Sequence, residues 1–163
     1  MELCLLRALP QALPASRWLL GFSLAVYLLL SLMTTALSGG FVTGLQVAVL
    51  DLVLLCAFTM ALLYLVNKPR RILQTLSALA GAGSILAIPA ILLTLVTQSG
   101  IGPDTQSLSV LWLLLLVWNL LVTAHIIRHA LSSSLALGIG MSLVYILVST
   151  QVMVSVFPHL TGQ

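Results

Sequence analysis

Asp51 is the residue whose chemistry first demands an account. It stands inside an apolar run, Thr43 to Val66, that contains no lysine or arginine. At the usual helical rise it lies about 12 Å from the nearer end of that run. A carboxylate so deep in a bilayer is costly and points to an ion or proton pathway. Held neutral, the same group can donate a hydrogen bond to a neighbouring helix. Three roles are open to Asp51: a structural hydrogen bond, contact with a substrate or ion, and contact within an oligomer. Asn119, about 16 Å from the outer end of its own run, and Gln151 are candidate partners at similar depth. Thr34 and Thr35 lie shallower in the first run, and no lysine or arginine inside a run could neutralise the acid.

His125 and His129 form the second constellation, one helical turn apart with Arg128 between them. Four-residue spacing puts both imidazoles on one helix face, as metal ligation would require. Two ligands are not a site, and of the acidic residues only Glu2 belongs to the same side of the membrane. The three side chains read as an inner-face polar cluster at the headgroups. A membrane haem would need a histidine from a facing helix, but His159 belongs at the opposite face. No metal or cofactor is expected.

Enzyme signatures are missing from the sequence. There is no glycine-rich loop ending in Lys-Ser or Lys-Thr, no His-Glu-x-x-His and no Gly-x-Ser-x-Gly. An intramembrane protease would need paired aspartates, a Ser-His pair or clustered glutamates at one depth. The expectation is a protein that is not an enzyme.

The elements that must position these residues follow from composition. Of 163 residues 61% are apolar and 6% charged, against about 25% charged in a soluble domain. The mean hydropathy is +1.22. Lipid must be the solvent for most of such a chain, and long unbroken apolar runs fit helices better than the alternating strands of a barrel. A span needs about 20 apolar residues. The runs predict an all-α, polytopic transmembrane bundle of five helices over 18–38, 43–66, 72–96, 108–127 and 135–157. The whole of 1–163 reads as a single membrane domain. Residues 1–17 read as a short interfacial arm, leucine-rich but interrupted by Pro10 and Pro14. Arg17 precedes the first long run, which disfavours a cleaved signal peptide.

Orientation follows from the cations. Arg7 and Arg17 precede the first span, Lys68, Arg70 and Arg71 separate the second from the third, and Arg128 separates the fourth from the fifth. With five spans all six cations fall on one side, so the N-terminus is cytoplasmic and the C-terminus outside. Losing or merging a span would scatter them. A net charge of +3 spread over three short segments makes no continuous basic surface, which disfavours nucleic acid as a partner.

Helices in lipid associate through close packing and polar contacts, so small residues should mark interfaces. Ser77 with Gly81, Ala78 with Ala82, and Ala80 with Ser84 recur at four-residue spacing in the third span. Ser134, Gly138 and Ser142, and also Ala136 and Gly140, do so in the fifth. These two spans should be central, with Gly21 and Ala25 marking an interface on the first. Pro89 should kink the third span. Trp18, Tyr64, Trp112 and Phe157 fall near span ends as headgroup anchors. Ser132–Ser134 should cap the fifth helix. Cys56 reads as a packing residue, and Cys4 as an interfacial thiol or a palmitoylation site.

The span plan, together with Gln74-Thr75-Leu76 leading into the Ala/Gly-rich third span with Pro89, resembles the small bacterial members of the Yip family. Leu116-Val117-Trp118-Asn119, running through His125-Ile126-Ile127-Arg128-His129 into the small-residue fifth span, adds to this. The resemblance implies a five-span bundle and brings no functional residue with it. The expected function is that of a scaffold or accessory subunit in a bacterial-type cytoplasmic membrane, partnered by lipid and by other membrane proteins or copies of itself. The alternative is a small transporter or channel component with a pathway at Asp51. A membrane enzyme acting on lipid would need His125, Arg128 and His129 to converge on a headgroup.

Overall fold

The computed structural model describes residues 16–100 and 105–157. The interfacial arm, Cys4, Asp104 and His159 lie outside these. The described residues form five long helices: α1 (Arg17–Gly39), α2 (Phe41–Leu65), α3 (Ile72–Ser99), α4 (Thr105–Leu131) and α5 (Leu135–Val156). All five are long and apolar enough to cross a membrane. A 3-10 turn, Pro69–Arg71, precedes α3. Every expected span has its helix.

The largest departure is at the inner end of the fourth span, where α4 runs four residues past the expected Ile127. Arg128 and His129 belong to its last turn, where cationic side chains suit the negative end of the helix dipole. More decisively, that end is capped from another hairpin. Lys68 Nζ donates to the Leu131 carbonyl at 2.5 Å. Arg71 donates from one guanidinium nitrogen to the carbonyls of His129 and Ala130 and to Ser132 Oγ, at 3.2, 3.0 and 2.7 Å. The orphan carbonyls of a helix terminus therefore find donors without water. These contacts also put the α2–α3 and α4–α5 connections at one end of the bundle, as the cation pattern requires.

Each of those connections leaves its helix through a left-handed residue, Asn67 at φ 57° and Ser132 at φ 54°. Ser16 and Ser134 accept from the amides of Leu19 and Leu137 as N-caps of α1 and α5.

α3 is the centre of the bundle. It buries Thr75 through Ala80 without a break, then Ala82, Ser84, Leu86, Ile91 and Thr94. Its run of small residues lets α1 lie against one side and α4 against another, while α1 also pairs with α2 and α4 with α5. The helix continues through Pro89, which is exposed.

The fifth helix, expected to be central, is peripheral: within it only Gly138 and Ser142 are buried. Lipid solvates an apolar face as well as another helix does, so smoothness alone does not force contact. A Cβ on Gly138 would come within 2.5 Å of the Ala124 carbonyl oxygen, whereas Gly140 has nothing within 4 Å. Ala136 is exposed, as are Gly21 and Ala25 of α1. Phe157 is buried rather than an anchor in the headgroups, whereas Trp18 and Tyr64 are exposed as anchors would be.

The two ends of the bundle differ. Near the cations, Leu62 and Leu63 pack with Ile127, Ala130 and Leu131 in a closed cluster. α4 buries Val122, Ala124, Ile126 and Ile127. From Val110 to Trp118 it is exposed almost throughout, with only Leu115 half-buried.

Candidate functional site

Asp51 lies ten residues past Phe41, the start of α2, or about 15 Å along the helix. That is near the middle of a hydrocarbon core about 30 Å thick. Its partner is Tyr27 of α1, whose hydroxyl donates to Asp51 Oδ2 at 2.5 Å. Tyr27 reaches it across a tight hairpin turned at Gly39-Gly40, where Gly40 adopts φ 84°. Residues equally distant from such a turn meet at one depth, and 27 and 51 are symmetric about 39.

Close helix packing holds the tyrosine in place. Thr35 Oγ1 donates across the hairpin to the Gly44 carbonyl at 3.0 Å, and a Cβ on Gly44 would come within 2.7 Å of the Ala36 amide nitrogen. On the other side the Tyr27 ring lies over Gly83 of α3, where a Cβ would be 2.6 Å from Cε2. The ring also packs on the buried cluster of Leu55, Ala78, Leu79, Ala82, Leu86, Val122 and Ile126.

Beside this pair the splayed half of α4 leaves a cavity of about 700 Å³. Asp51 and Tyr27 line it from the first hairpin, Asn119 and Trp112 from α4, and Tyr145 from α5. Leucines, alanines and Gly83 make up most of the remaining wall. Asn119 Oδ1 accepts from Thr123 at 3.4 Å, and the Tyr145 ring tilts against Phe58 with centroids 5.1 Å apart. A second cavity of about 480 Å³ extends towards the α1–α2 turn, lined by Gly39, Thr43 and Gln98 among others. The two share Thr34, Thr35 and Trp112 on their walls and so lie side by side. Together they reach from mid-depth towards the end of the bundle opposite the cations.

Of the expected intramembrane trio, the structure brings together two. Asp51 and Asn119 face one cavity, while Gln151 is exposed and lines neither. Ser149 is the last residue of α5 on the cavity wall. Comparisons with protein-family models, curated proteins and solved structures found no match.

At the inner end His125 and His129 do share a face, with ring centroids 4.5 Å apart, edge to face. Arg128 lies between α4 and α5, its Cβ beside Gly138. No group of three or more His, Cys, Asp and Glu gathers among the described residues. The histidines pack on each other at the helix end without assembling a ligand set.

Tyr27 and Tyr145 are the site residues that composition and spacing passed over. Tyr27 could have been found by counting back from the Gly39-Gly40 turn as far as Asp51 lies beyond it. Tyr145 had no such signal, because the depth of α5 relative to α2 depends on packing through α4. Together the residues offer one carboxyl, three aromatic rings and an amide inside a chamber whose wall is mostly apolar, with serine and threonine hydroxyls among the rest.

Proposed function

We propose that this protein is a non-enzymatic carrier component of a bacterial-type cytoplasmic membrane, binding a small molecule at Asp51 inside the bundle. The observation that carries this reading is the cavity itself. It is a pocket of ligand size at mid-membrane depth, and the hydrogen-bonded Tyr27–Asp51 pair lies on its wall with Asn119. A purely adhesive subunit has no need of such a chamber. Intramembrane acids are expensive, and in membrane proteins they accompany substrate and ion pathways.

The six-to-none division of cations supports a cytoplasmic closed end and an outward opening. On this reading the ligand arrives from the outer side or from the outer leaflet, and the Lys68 and Arg71 caps keep the inner end shut. Association with other membrane proteins fits the same picture, as does the span plan resembling the small bacterial Yip proteins.

Thiol labelling tests the proposal. Cysteines placed at Ser31 and Asn119, in a chain whose own Cys4 and Cys56 are replaced by alanine, should react with a membrane-impermeant reagent added outside intact cells. An Arg70→Cys control should react only in inverted vesicles. Protection of both cavity positions from reagent on either side would refute an open binding chamber.

A further inference from the structure

The cavity's wall chemistry selects among ligand classes, on the reading that it binds a small molecule at all. We infer that its ligand is a lipophilic organic cation, such as a hydrophobic amine or quaternary onium compound, with Asp51 as its counter-charge. The first observation is one of sign. Asp51 is the one charged-type side chain among the described residues lining the cavity, which include no lysine, arginine or histidine. An anion placed there would meet a carboxyl and no compensating cation, and in a low-dielectric site such a mismatch is strongly unfavourable.

The second observation is the aromatic lining. Tyr27, Trp112 and Tyr145 come from three different helices to one chamber. Aromatic faces attract cations, most strongly where water is excluded, and they are the recurrent means of holding onium groups that cannot donate hydrogen bonds. Tyr27 donates to Oδ2 of Asp51, and Oδ1 takes no hydrogen bond from a described residue. The carboxyl is thus fixed in place with half of its accepting capacity left for a ligand.

The third observation excludes one competitor. A bare metal ion would need a compact cage of several oxygen ligands. The chamber, at about 700 Å³, is much larger than such a cage and mostly apolar in its wall. The volume suits a bulky organic molecule, and the apolar wall suits one that is itself greasy.

Isosteric ions of opposite sign provide the test. The full-length protein in neutral-lipid nanodiscs is titrated with tetraphenylphosphonium, with tetraphenylborate and with neutral triphenylphosphine oxide, each corrected for protein-free nanodiscs. Saturable binding of the phosphonium is expected, weakened about tenfold or more by Asp51→Asn and several-fold by Trp112→Leu. The neutral compound should bind no differently to wild type and Asp51→Asn. Near-ultraviolet circular dichroism checks that each variant is folded, and Trp112→Leu carries the test if Asp51→Asn is not. Borate binding as tight as phosphonium binding, or phosphonium affinity unchanged by both variants, overturns the assignment. Binding of the neutral compound alone would overturn the cation while leaving the carrier reading intact. If none of the three binds, and the labelling experiment finds the cavity closed, both readings fall.

Discussion

Gly83→Ala is the perturbation that most directly probes how the site is held. The new Cβ would sit 2.6 Å from Tyr27 Cε2, where ordinary contact begins near 3.4 Å. The ring must therefore retreat by 0.8 Å or more. The Tyr27 hydroxyl, now 2.5 Å from Asp51 Oδ2, must shift with its ring and strain that bond. Overpacking of this kind costs about 1–3 kcal/mol, offset by up to about 1 kcal/mol because alanine is the better helix former. Gly81→Ala two residues away is the control. Its Cβ would meet nothing within 4 Å, so it gains the propensity without the clash. The two variants should differ by about 1–3 kcal/mol, or roughly 2–12 °C in melting temperature for a chain of this size. Thermal unfolding in mild detergent, followed by near-ultraviolet circular dichroism, reads the difference. Equal stabilisation by both alanines would refute the packing of Tyr27 against α3, and with it the account of how Asp51 is positioned.

The remaining predictions follow from other contacts. A double-mutant cycle of Tyr27→Phe and Asp51→Leu, which removes the acceptor as well as the charge, should show coupling of about 0.6–1.7 kcal/mol by reversible unfolding in mixed micelles; coupling near zero would mean that the two groups do not meet. Gly138→Ala should lower the melting temperature while Gly140→Ala should not, because only the first pushes against the backbone of α4. Arg71→Leu should destabilise the protein by about 1–3 kcal/mol through loss of its hydrogen bonds to the end of α4, whereas Arg70→Leu should be close to neutral. Hydrogen exchange should then show faster opening of 128–131 in the Arg71 variant alone.

The five spans and the common end of the cations were legible because both follow from the cost of polar groups in lipid, which acts on the sequence residue by residue. The depth of Asp51 was legible for the same reason. The failures lie where two helices must be placed relative to each other. Gln151 is as polar as Asn119, but rotation and depth of α5 leave it off the cavity wall. Gly81 and Gly83 look equivalent in a small-residue run, and only the position of the Tyr27 ring distinguishes them. Lys68 and Arg71 were readable as topology signals, but not as caps, because their acceptors are carbonyls about sixty residues away. The cavity had no sequence signal, since it arises from where α4 parts from its neighbours.

Those caps have a consequence in time. Lys68 and Arg71 are synthesised 63 and 58 residues before the carbonyls they finally engage at Leu131 and His129. At a synthesis rate of about 5–20 residues per second, that gap lasts several seconds. Throughout it the two side chains would stay at the headgroups as charges, where cations favour one orientation of the first three helices. Completion of α4 gives them new partners and ends that duty. The same pair thus acts first as an anchor for a growing chain and later as the fastener that joins the last hairpin to it. A substitution such as Arg71→Leu should therefore leave two separable signatures, one in the fraction of chains inserted correctly and another in the stability of those that were.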